Sequence, residues 1–146
     1  MVLMSKRVLS ESDAKPESFH DVHVHGLHWR RDRFAFLMDI QYILEWIIPT
    51  GSSSAYSFMV CEAQITFRNV YDLQISLEWV DGVLDAQIDG MQVTNVRTMR
   101  NGEIQRHYEI SFSTPEANIT LWSAGYEVSL LGEPVLSAVT SIPYAE

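Results

Sequence analysis

The chain has 146 residues, a common size for one domain, and folding at that length buries about 70% of the surface the unfolded chain exposes. Apolar residues make up 47%, with four Trp, six Tyr and six Phe, enough for a core without metals or cross-links, so a wholly disordered chain is excluded. A net charge of −9 repels phosphate backbones, which argues against nucleic acid and leaves a basic protein as the partner such a field would steer.

Both lysines, Lys6 and Lys15, lie near the start, and residues 1–17 read as a flexible tail ahead of a single β domain over 18–146. Ser, Lys, Arg, Glu and Asp interrupt this stretch before any apolar run forms, so no secretory leader is expected. No segment approaches the roughly 20 apolar residues of a membrane-spanning helix, and no membrane partner is expected. Cys61 is the lone cysteine and has no internal partner, which fits a reducing cytoplasm.

From Asp21 to Trp29 the pattern alternates, with Val22 and Val24 on one face and His23, His25, Leu27 and Trp29 on the other. Arg30, Arg31, Asp32 and Arg33 form a charged connection, and Phe34, Phe36, Met38 and Ile40 then share a face of a second strand. A hairpin is the economical reading. Residues 40–48 fit both period two and a helical stripe; a strand is favoured, with a break or bulge near Asp39 expected because an unbroken run would be long. Pro49, Gly51 and Ser52 to Ser54 mark a loop.

Beyond it, Ile65 and Phe67 alternate with polar neighbours, as do Leu73, Ile75, Leu77 and Trp79, the signature of antiparallel strands with one wet face. Asp81-Gly82, Asp89-Gly90 and Asn101-Gly102 suit two-residue hairpin turns. Leu84, Ala86 and Ile88, then Met91 and Val93, then Tyr108, Ile110 and Phe112 each share one face. Pro115 interrupts; Ile119 and Leu121, then Tyr126, Val128 and Leu130, continue the pattern. Residues 134–143 read as a last strand or a short helix. The fold class is therefore mainly β, an antiparallel meander forming a β-sandwich or a curled barrel-like sheet, with at most one or two short helices.

Four of the five histidines, His20, His23, His25 and His28, fall within nine residues. On a regular strand His23 and His25 project from one face about 7 Å apart, with Asp21 on that face too. Asp21, His23 and His25 are thus the candidate metal ligands, although no third or fourth ligand is identifiable and no cofactor is called for. The spacing lacks the carboxylate that a cupin places after its His-x-His. Cys61 shows no adjacent base and reads as a small core residue. His107 sits on the wet face of its strand and belongs to no evident triad. Arg30, Arg31 and Arg33 could meet an anion, but a hairpin tip is ordinarily charged because it is solvated. No phosphate-cradling glycine spacing occurs.

Three stretches, FHD at Phe19 to Asp21, MDIQYILEWIIP at Met38 to Pro49 and FMVCEAQITFRNVYDLQI at Phe58 to Ile75, together resemble a group of small uncharacterised bacterial proteins. That group carries an FHD, an LDIDYILKW-like segment and a stretch like FWxxPATLxFxNVxDL. The present chain departs from it at Met59 and Glu62, where the group has Trp and Pro. The resemblance covers roughly residues 19–80 and implies no assigned enzyme activity; some similar acidic proteins look like immunity proteins of toxin systems. The leading expectation is a non-enzymatic protein-binding module, of immunity type, with a basic protein partner. The alternative is a metal-binding protein or metal-dependent enzyme using the histidine cluster. A homo-oligomer formed through a free sheet edge is the third reading.

Overall fold

The computed structural model describes residues 7–50, 55–77, 85–114 and 116–140. Ten strands run in chain order: β1 (Val8–Leu9), β2 (His23–Arg30), β3 (Ala35–Ile47), β4 (Ser57–Arg68), β5 (Tyr71–Ser76), β6 (Ala86–Thr98), β7 (Ile104–Thr114), β8 (Glu116–Ser123), β9 (Gly125–Leu130) and β10 (Val135–Ser137). Two 3-10 turns, Pro16–Phe19 and Arg31–Arg33, are the helical pieces among the described residues. All ten strands belong to one antiparallel sheet ordered β1-β9-β4-β3-β2-β6-β7-β8-β5, with β10 beside the free part of β4.

Alternation explains why these segments are strands. In β4, Phe58, Val60, Ala63, Ile65 and Phe67 are buried, and in β9 Tyr126, Val128 and Leu130 meet them side by side. Phe36, Met38 and Ile40 of β3 continue that surface on the other flank of β4. Residues 40–47 are strand, and β3 runs 13 residues without interruption. Its length is accommodated by a bulge between Ile43 and Glu45 rather than at Asp39, which re-aims the side chains beyond it.

The sheet folds over on itself. Phe67 on β4 and Tyr108 on β7 are four strands apart in the sheet order, about 19 Å if the sheet were flat. Their ring centroids are 5.3 Å apart. Tyr108 also meets Tyr126 of β9, five strands away, at 5.7 Å. Two well-paired halves, β1-β9-β4-β3-β2 with β10 and β6-β7-β8-β5, are therefore packed face to face around these rings. They are joined in the sheet by a short junction, where β2 pairs with β6 only at His23↔Gln87 and Val24↔Ala86. Burial drives the hydroxyls of Tyr108 and Tyr126 far above their ordinary titration range, with the Glu11 carboxylate adding to the effect.

Four expectations are corrected here. Residues 8–17 are not a tail: β1 pairs with β9, and Leu9 and Ala14 are buried. Glu11 accepts hydrogen bonds from the Tyr108 hydroxyl at 2.9 Å and the Tyr126 amide at 2.7 Å, tying the two halves together. Gly125 permits this, since a Cβ there would lie 2.4 Å from Glu11 Oε1 and its φ is +143°. Asp89-Gly90 is not a hairpin turn; β6 runs through it with irregularities in register on both sides of Ile88. Phe34 lies outside the buried face of β3, exposed in a left-handed conformation at the end of the Arg31–Arg33 turn. Leu27 packs against the core instead of standing with the histidines, because a bulge at Val24/Gly26 shifts β2 by one residue. Asn101-Gly102 does join β6 to β7, but within a longer loop than a two-residue turn, since Met99 N bonds Glu103 O across Arg100, Asn101 and Gly102. Asp81-Gly82 and Trp79 lie outside the described residues.

Candidate functional site

The histidine-rich strand occupies the middle of the molecule, and its polar side chains face away from the core. His25 is the extra residue of the β2 bulge, and its Nε2 lies 3.1 Å from Glu62 Oε2 on β4. Gln41 of β3, almost wholly buried, donates to the other oxygen of Glu62 at 2.8 Å. One row along, His28 Nε2 lies 2.5 Å from Asp39 Oδ2, and Gln64 donates to Asp39 Oδ1 at 2.9 Å. Gly26 faces Asp39 across the strand pair, and a Cβ there would come within 2.5 Å of the carboxylate, so only glycine leaves room for Asp39 to reach His28. Burial alone would raise the Asp39 pKa, but the hydrogen bonds from His28 and Gln64, with the nearby His28 and His25 rings, hold it below its ordinary value.

The other two histidines turn toward the second half. His23 Nδ1 lies 2.9 Å from Asp85 Oδ1, immediately before β6, and its Nε2 is 3.2 Å from Thr140 Oγ1. His20 Nδ1 lies 2.6 Å from the Asp89 carbonyl oxygen of β6, and its Nε2 is 3.6 Å from Asp21 Oδ2. Asp21, with φ +67°, stands outside the strand and accepts from Gln87 at 3.2 Å. The candidate ligands Asp21, His23 and His25 thus have separate partners. Among the described residues no three His, Cys, Asp or Glu side chains are grouped so as to hold a metal ion.

The remaining flagged residues have structural surroundings. Cys61 is buried, its thiol directed at the carbonyls of Glu62 and Gly132, and burial pushes its pKa up despite the Gly132 hydrogen bond and nearby Arg7. His107 lies 2.7 Å from the Thr94 hydroxyl and packs on Trp122, whose ring also carries the Arg97 guanidinium at 4.2 Å. Arg30 and Arg33 flank Asp32 in an exposed turn. The FHD segment divides its labour: Phe19 is a core plug against Tyr42 and Tyr126, while His20 and Asp21 reach β6.

Sequence reasoning missed an apolar surface at the far end of the β3–β4 hairpin. Trp46 packs edge-on to Phe58 at 4.9 Å and to Tyr56 at 6.2 Å, yet remains 43% exposed, and Tyr56 is 49% exposed. Beside them β10 pairs with Phe58 to Val60 and leaves Leu136 63% exposed. Glu45 and Glu133 are exposed next to these residues in the chain. The signal was present in the ambiguous segment at 40–48, where Trp46 and Ile48 extend an apolar pattern past the last well-buried position of β3. No described helix is long and apolar enough to cross a membrane. Comparison of the chain with protein-family models, with curated proteins and with solved structures returns no match.

Proposed function

We propose that the protein is a non-enzymatic binding module whose partner is a basic protein. The carrying observation is the half-exposed Trp46–Tyr56 pair, with Trp46 set edge-on against Phe58, at the end of the β3–β4 hairpin in a chain of net charge −9. Large aromatic side chains held by packing but open to solvent are the residues that dominate protein interfaces. Long-range negative charge would raise the encounter rate with a basic partner, and the aromatic pair would supply the buried centre of the contact. An immunity-type inhibitor that caps a basic toxin in the cytoplasm is the specific form of this reading, in keeping with the bacterial group that the FHD and NVYDL segments resemble.

The test is affinity capture with the wild-type chain and with Trp46→Ala/Tyr56→Ala, each at low and moderate salt. The expected result is one basic protein retained by the wild type, released more readily at higher salt, and retained at least tenfold less by the variant, with unchanged circular dichroism. Absence of a specific partner, or equal retention by the variant, would contradict the proposal. A dimer of the chain that the same variant dissolves would replace the basic partner with a second copy.

A further inference from the structure

The histidine cluster has an arrangement that partner binding does not use. The two halves of the sheet share two residue pairs at the β2–β6 junction, flanked by reciprocal backbone bonds between Ile88 N and Val22 O and between Asp21 N and Ile88 O, each 2.8 Å. The four histidines straddle this narrow place. His25 and His28 hold β2 to Glu62 of β4 and Asp39 of β3. His20 and His23 reach across it to the Asp89 carbonyl of β6 and to Asp85 at its start. We propose that these side chains form a proton-operated clasp, with His20 and His23 tightening the junction between the two halves when their rings are protonated and loosening it when they are neutral.

The chemistry lies in the number of N–H groups. A neutral imidazole has one donor nitrogen and one acceptor, whereas the protonated ring donates from both. The two groups facing His20 are a backbone carbonyl and the Asp21 carboxylate, and neither can donate. A neutral ring can already donate to the carbonyl, and the Asp21 carboxylate, at 3.6 Å beyond hydrogen-bond length, favours the protonated ring by charge alone. His23 faces the Asp85 carboxylate through one nitrogen and the Thr140 hydroxyl through the other, so protonation gives it a charge-assisted bond to Asp85 without losing Thr140 as an acceptor. The charged groups set against the four rings are Asp21 beside His20, Asp85 ahead of β6, Glu62 from β4 and Asp39 from β3. Donation from both nitrogens requires the added proton, which an imidazole in water takes up near pH 6.5. With it, the contact between His23 and Asp85 becomes an ion pair at the thinnest part of the sheet.

Amide hydrogen exchange of the full chain reads this directly. After correction for intrinsic rates, protection of the Asp21 and Ile88 amides is expected to be about three- to tenfold greater at pH 5.5 than at pH 8.0. The Ile110 and Ile119 amides in the β7–β8 pair should change less than about twofold. His20→Gln/His23→Gln should abolish the junction's pH response, His25→Gln/His28→Gln should retain it, and His20→Gln alone, at an exposed position, should reduce it. Equal junction protection at the two pH values in the wild type, or a response that survives in His20→Gln/His23→Gln, would overturn the proposal.

Discussion

Asp39 shows how a single carboxylate can organise a strand face. It takes a hydrogen bond from Gln64, meets His28 and lies in the space left by the missing side chain of Gly26. Its pKa in the fold is below the unfolded value of 3.8, so its contribution to stability is whole above that value and is lost as the pH falls through the lower folded one. Asp39→Asn should therefore flatten the decline in urea-unfolding stability on the acid side, between about pH 5 and 3, relative to the wild type. An unchanged acid limb would show that Asp39 does not supply the linkage. At this scale the sequence was partly readable. The His20 to His28 cluster was visible, and so was the local polarity of its strand, but the partners were not: Glu62, Asp85 and Asp89 come from other strands. A regular two-residue period would also have put His23 and His25 together, and the one mark of the bulge that separates them is Gly26, an isolated glycine inside a strand pattern that the reading passed over.

Strands were legible where burial alternates strictly, as in Ile65 and Phe67, in Tyr108 to Phe112 and in Tyr126 to Leu130. They were misread where local turn chemistry conflicted with tertiary pairing. Asp89-Gly90 has the composition of a hairpin turn, yet β7 pairs along β6 on both sides of it and the sequence is absorbed as an irregularity in a long strand. The opening residues were misjudged because their charge and their two lysines suggest solvent, whereas Leu9 and Ala14 are buried and Glu11 turns inward. Glu11→Ala would leave the buried Tyr108 hydroxyl and the Tyr126 amide without their acceptor. A loss of about 2–3 kcal/mol in chemical unfolding is expected, with Glu11→Gln milder because its amide oxygen can still accept. If Glu11→Ala unfolds at the wild-type midpoint, β1 and its neighbours are not the tie between halves described above.

For the whole molecule, the antiparallel meander followed from patterning, while the choice between sandwich and curled sheet depended on long-range geometry. The observed form combines features of both, since one continuous sheet doubles back until its two halves share a core. Three rings, Phe67, Tyr108 and Tyr126, occupy that core, and it is their mutual approach that brings β4 and β9 against β7. The placement of the histidine clasp at the junction and of the aromatic pair at the open end of β3–β4 both follow from this folding over. The most direct measurement is nuclear Overhauser spectroscopy on the isotope-labelled chain. Strong cross-peaks are expected from the Tyr108 ring to the rings of both Phe67 and Tyr126, together with the ladder contacts of β3–β4 and β6–β7. Intact ladders without the Tyr108 cross-peaks would mean that the sheet does not close upon itself, contradicting the account.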